Sequence, residues 1–88
     1  MERENCLKKA IEIVTNDRNK MYGLPEDNFN EIAQYWSVYL RADITAADVA
    51  KMMILFKIAR LNSCLHEDGW VDIAGYAACG SECSKSQD

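Results

Sequence analysis

Two cations on one helical segment and a carboxylate on the next are the residues of this chain best suited to chemistry. Traced round a helix, Lys57 and Arg60 fall on the side opposite Lys51, bracketed by Val49, Ala50, Met53, Phe56 and Leu61. Two positive charges therefore project from a face that should otherwise be buried. Asp72 on the following segment is the available counter-charge. With Trp70 and Tyr76 beside it, it completes a candidate ligand-contacting set in which Lys57 and Arg60 hold a phosphate or an acidic partner. The plainer role for Asp72 is to neutralise Lys57 or Arg60 across two packed helices, because charge left inside a small bundle must be paired.

Carboxylates also recur in pairs. Asp27 and Glu31 are four residues apart, as are Asp68 and Asp72, so each pair shares one helix face. Facing one another, the two pairs would supply the oxygen ligands that Mg²⁺ requires; acidic residues at a helix start otherwise complement the helix dipole. His66 has no second histidine or glutamate at ligand spacing and reads as an exposed bystander. Cys64, His66, Cys79 and Cys83 are the residue types of a zinc site, but the Cys79-x₃-Cys83 spacing lacks the short loop knuckle of such sites. Neither a glycine-rich phosphate loop nor a nucleophile elbow is present, which disposes of P-loop NTPase and serine hydrolase chemistry. No cofactor is expected from these residues, save Mg²⁺ if the acidic pairs converge.

The elements that must position these groups are helical, because no stretch alternates with period two for long enough to make a strand. The first segment places Leu7, Ala10, Ile11, Val14 and Met21 on one side. Gly23 followed by Leu24-Pro25 ends it and opens the second helix, Pro25 to Leu40, with the acidic start Glu26-Asp27. Phe29, Ile32, Ala33, Trp36, Tyr39 and Leu40 form its apolar stripe. Thr45-Ala46-Ala47-Asp48 is a capping box that starts a third helix, Ala46 to about Asn62, apolar almost all round and so the expected central helix. A fourth runs from about Trp70 to Glu82 with Trp70, Ile73, Ala74 and Ala77 as its stripe; Gly75 within it implies close approach of a neighbour. The expected fold is all-α, a compact antiparallel bundle of four short helices, with residues 1–82 forming one domain and 83–88 a polar C-terminal tail.

Composition bounds the partners. The 88 residues carry 10 Lys and Arg against 14 Asp and Glu, a net charge of −4, which argues against a phosphate-backbone footprint and so against direct duplex DNA binding. No apolar run spans a bilayer, and the mixed charges of Met1-Glu2-Arg3-Glu4-Asn5 do not make a signal peptide. The expectation is a cytoplasmic protein without membrane contact, its four cysteines reduced. A chain this short has a marginal core, and oligomerisation is the common remedy. Trp36, Tyr35, Tyr39, Trp70, Met52, Met53 and Phe56 are core residues by default or the lining of a nucleotide or partner pocket. Tyr35 and Val38 lie off the main stripe of the second helix, and the third has almost no polar side, so a homodimer or higher oligomer is expected on these helices.

The run Tyr22-Gly23-x-Pro25-x-x-Asn28-Phe29, then Ile32-Ala33 with Trp36, carries a resemblance, as do Ile44-Thr45-x-x-Asp48-Val49-Ala50-x-Met52-Met53 and Lys57-Ile58-Ala59-Arg60-Leu61. Asp68-x-Trp70-Val71-Asp72-Ile73-Ala74-Gly75-Tyr76-Ala77 completes it. These residues resemble a small domain family of unknown function found mainly in bacteriophage and prophage proteins, over nearly the whole span from Arg18 to Glu82. That resemblance implies a phage origin; with the small size, the acidity and the absence of an intact catalytic motif, it leads to the expectation of an accessory protein of the host cytoplasm that binds a host protein or nucleotide-like ligand without catalysis, with blunting a host defence as one use. Asp72-Ile73-x-x-Tyr76 is also similar, more distantly, to a motif of the MazG-like all-α nucleoside triphosphate pyrophosphohydrolases. That similarity implies the alternative, Mg²⁺ held by Asp27, Glu31, Asp68 and Asp72 with Lys57 and Arg60 on the phosphates. Gly69 stands where that motif has its first acid, and the second helix has no strict Glu-x-x-Glu.

Overall fold

The computed structural model describes residues 1–17, 23–63 and 67–87. Helix α1, Arg3–Glu12, runs into a π-helical turn, Ile13–Asp17. Three longer helices follow: α2, Pro25–Leu40; α3, Ala46–Ser63; and α4, Glu67–Gln87. No strand occurs among the described residues, and the all-α bundle expected from periodicity is the fold observed. None of the described helices is long and apolar enough to cross a membrane.

The helix ends follow from local chemistry. Gly23 takes a left-handed φ of 78°, and Pro25 opens α2, where its missing N–H would have had no partner. Arg41 ends α2 in the left-handed region at φ 53°, a conformation costing a non-glycine residue roughly 1–2 kcal/mol. The Ser37 hydroxyl holds the following turn, accepting the Ile44 N–H at 2.9 Å and donating to the Ile44 carbonyl at 3.2 Å. The capping box of α3 forms as expected: the Thr45 N–H donates to Asp48 Oδ2 at 3.0 Å, and the Asp48 N–H donates to Thr45 Oγ1 at 3.1 Å. The backbone N–H and hydroxyl of Thr45, with Lys51 nearby, hold the Asp48 carboxyl below its ordinary range.

Packing corrects the expected centre of the bundle. Helix α4, not α3, touches every other helix, and α1 meets neither α2 nor α3. The largest interface is the antiparallel pairing of α3 with α4, and it is built on small residues. A Cβ added to Gly80 would come within 2.9 Å of Ala50 Cβ, and one added to Gly69 within 2.7 Å of Leu61 Cδ2. A Cβ added to Gly75 would come within 3.1 Å of Val14 Cγ1, which is the close neighbour its place in a helix implied. The face of α4 turned inward is therefore Val71, Gly75, Cys79 and Cys83, whereas Trp70 and Ala77 of the expected stripe are exposed. The stripe was read from the large apolar residues, but helices approach closest where side chains are smallest. Helix α4 also overruns its expected ends, Trp70 and Glu82, at both termini.

The core gathers at one end of the molecule, around Phe29, Ala33, Ala46, Val49, Ala50, Cys79 and Cys83, with Ile32, Trp36, Ile44, Met53 and Tyr76 packed against it. Beyond this closed end the apolar stripes lose their cover. Leu7 and Ile11 of α1 and Leu55, Phe56 and Ile58 of α3 are exposed, and Tyr39 and Leu40 are exposed on the outer side of α2 at the closed end itself. Met21 lies outside the described residues.

The Gly80 contact yields the first prediction. Ala is favoured over Gly within a helix by about 1 kcal/mol, but the rigid Ala50 Cβ cannot yield, and overpacking costs about 1–3 kcal/mol. Gly80→Ala should lower the urea midpoint by the equivalent of up to about 2 kcal/mol, while the exposed control Ser81→Ala stays within about 0.5 kcal/mol of the parent. An unchanged or raised midpoint for Gly80→Ala would contradict the close approach.

Candidate binding surface at the open end of the bundle

Lys57 and Arg60 leave α3 in its last turns, where α2 no longer covers it. Lys57 turns toward α4 and pairs with Asp72, Nζ to Oδ2 3.0 Å, the two side chains being 18% and 32% exposed. The cross-helix neutralisation expected of Asp72 is thus formed, and Lys57 is its partner. Arg60 is exposed rather than bracketed by core residues, because the open end of the bundle leaves that face uncovered. Its guanidinium lies 5.9 Å from the centroid of the Phe56 ring, and Lys57 Nζ lies 5.9 Å from the same ring. Both cations are within reach of its π face, a contact of about 0.5–1 kcal/mol at an exposed site.

Three shallow hollows meet here. One of about 190 Å³ is lined by Lys57, Arg60 and Leu61 from α3 and by Asp68, Gly69 and Asp72 from α4. A second of about 430 Å³ is lined by Phe56, Ala59, Arg60 and Ser63 along α3. A third of about 360 Å³ lies on the other side of α4, between Asp68, Val71 and Asp72 and the Lys9, Glu12 and Ile13 side chains. Asp68 and Asp72 thus lie between basic residues of α1 and of α3. Among the described residues, the first hollow is lined by two cations and two carboxylates, which balance in formal charge. It favours an anion far less than two unpaired cations would.

The candidate set is only partly assembled. Lys57, Arg60 and Asp72 come together, and Asp68 joins them. Tyr76 belongs to the closed end, its ring 6.3 Å from that of Phe29, and Trp70 lies exposed; neither lines these hollows. Asp27 and Glu31 are exposed on α2, where Glu31 accepts a hydrogen bond from the Tyr35 hydroxyl at 3.4 Å. No group of three or more His, Cys, Asp or Glu side chains able to hold a metal ion forms among the described residues. The two acidic pairs therefore do not make the four-carboxylate arrangement that a shared Mg²⁺ would need. Cys79 and Cys83 are buried in the core, and Cys64 and His66 lie outside the described residues. Sequence reasoning missed Lys9 and Glu12 as neighbours of Asp72, for which no signal exists along the chain. It also missed Phe56 as a platform for Arg60, which the spacing of four residues on one helix could have shown.

A double-mutant cycle reads the ion pair. Asp72→Leu strands a half-buried ammonium, and Lys57→Met combined with it removes the stranded charge. The coupling should be about 1 kcal/mol by urea unfolding, with the double variant at least as stable as Asp72→Leu. Additive losses would mean that the two side chains do not act on one another.

Comparison with known proteins sets this geometry in a family. The chain is 46% identical over 77 residues to the Gene 55 protein of Mycobacterium phage D29, a match covering 86% of this chain and 51% of the relative. It is 47% identical over 75 residues to the Gene 55 protein of Mycobacterium phage L5, covering 83% of this chain and 48% of that relative. The chain spans about half the length of these curated relatives. No solved structure matches it. A family profile matches residues 5–84, almost the whole helical bundle, and by that match the chain belongs to the family described as a domain of unknown function, DUF6378.

Proposed function

We propose that this domain is a non-catalytic binding module of phage type, and that it engages a host protein through the open end of the bundle. The observation that carries the reading is the distribution of apolar side chains. Among the described residues, half of the ten buried hydrophobics are alanines and Phe29 is the only aromatic, while Leu55, Phe56 and Ile58 of α3 and Trp70 of α4 are exposed toward the open end. Exposed apolar surface on this scale, rimmed by charge, is the composition of an interaction site. At the open end Phe56 and Arg60 present an aromatic ring and a guanidinium side by side, the residue types that dominate binding energy at protein interfaces.

A protein partner fits this surface better than a nucleotide-like ligand. The hollow beside Arg60 balances its cations with Asp68 and Asp72, so the excess positive charge that a phosphate group requires is missing. A protein can match a mixed pattern, meeting Arg60 with an acid and Asp68 with a base around a central apolar contact at Phe56. The mycobacteriophage source of the relatives supports a host protein as that partner, and blunting a host defence as the use of binding it.

The test is comparative capture from bacterial host lysate, with the parent against a Phe56→Ala/Arg60→Ala variant. Both substitutions fall on exposed side chains, so the fold should survive, as circular dichroism would check. A host protein retained by the parent and depleted at least about tenfold on the variant is the expected result, since two such anchors are worth more than the 1.4 kcal/mol of a tenfold change. Equal retention by both proteins, or no retained protein alongside a thermal shift with a nucleotide, contradicts the reading.

A further inference from the structure

We propose that α2 is also a self-association surface, on which two copies of this chain pair with their α2 helices antiparallel about a two-fold axis. The surface lies on a different helix from Phe56 and Arg60, and the proposal does not depend on the partner inferred for them. Three observations carry it.

The first is the ridge itself. Tyr35, Val38 and Tyr39, at i, i+3 and i+4 spacing, are 67%, 80% and 87% exposed, on the side of α2 away from the buried Phe29 and Ala33. Half-buried Ile32 and Trp36 border this ridge. Two tyrosines and a valine standing free on one helix face form a rigid apolar strip of the kind that isologous dimers bury.

The second is area. A compact monomer of 10.0 kDa exposes about 5,200 Å² by the scaling of surface with mass, whereas this chain exposes 6387 Å². The excess is on the order of 1,000 Å², comparable with the roughly 800 Å² that each partner contributes to a standard interface.

The third is charge register. Laying α2 against a reversed copy, with Tyr35 opposite Val38 of the second copy, brings Glu31 within one residue of Arg41 of the second copy. The two-fold axis repeats that pairing at the other end. Glu31 and Arg41 are both exposed, and neither forms an ion pair among the described residues. Reversal also sets the helix dipoles antiparallel, whereas a parallel arrangement would place Glu31 beside Glu31 and Arg41 beside Arg41.

Sedimentation equilibrium from micromolar to submillimolar concentration tests the pairing. The parent should reach twice the 10.0 kDa chain mass, and Val38→Glu should remain a monomer with unchanged helix content, because Val38 is 80% exposed. Glu31→Arg and Arg41→Glu should each weaken the dimer by about tenfold, and the doubly exchanged chain should recover it. A parent that stays monomeric throughout, a dimer indifferent to Val38→Glu, or a double exchange that fails to recover the dimer overturns the proposal.

Discussion

Gly80 and Ala50 set how closely α3 and α4 approach, and the shape of the molecule follows from that distance. With no room for a single added carbon at Gly80, the backbone of α4 there lies directly against the Ala50 methyl of α3. Only small side chains fit there, which is why the core is largely Ala, Val and Cys around one aromatic ring, Phe29. The volume of a helix interface is fixed by its smallest residues. Large apolar residues that a wider bundle would have enclosed are left on its outer faces: Tyr35 and Val38 on α2, Leu55 and Ile58 on α3, Trp70 on α4.

This asymmetry divides the chain into a closed end that holds the fold and an open end that presents chemistry. At the closed end α2 lies across the first turns of α3 and the last turns of α4, fixed by the Thr45–Asp48 capping box and by Ser37 on the turn. At the open end the hairpin of α3 and α4 continues without α2. Their charges meet as Lys57–Asp72, a partly buried pair that ties the helices beside the Gly69–Leu61 contact. Such a pair adds little stability. Its consequence is electrostatic, since with Lys57 satisfied Arg60 is left as the outward cation, seated on Phe56.

Local signals along the chain were legible and tertiary ones were not. The capping box, the Gly23-Leu24-Pro25 start of α2 and the number of helices are determined within a few residues, and each stands where its residues placed it, whereas α1 gives way to a π-helical turn at Ile13, well before Gly23. The pairing of Asp72 with a cation was also legible, because a charge on an inward face demands a partner. Periodicity failed at α4, where large residues suggested a stripe through Trp70 and Ala77 while the helix turned its glycines and cysteines inward. Hydrophobicity ranks residues by their transfer from water, whereas helix pairing ranks them by how near two backbones can come. The same confusion made α3, the more apolar helix, look central. The acidic pairs failed for another reason, as spacing along a helix fixes which residues share a face but not which faces meet.

The account stands on the claim that the bundle is held at one end by small-residue packing and left open at the other. Residue-resolved amide hydrogen exchange of the free protein tests this most directly. The account predicts the slowest exchange at Val49–Met53 and Cys79–Cys83, with Phe56–Arg60 at least about tenfold faster despite lying within the same helix. Uniform protection along α3, or slower exchange at its far end, would contradict it.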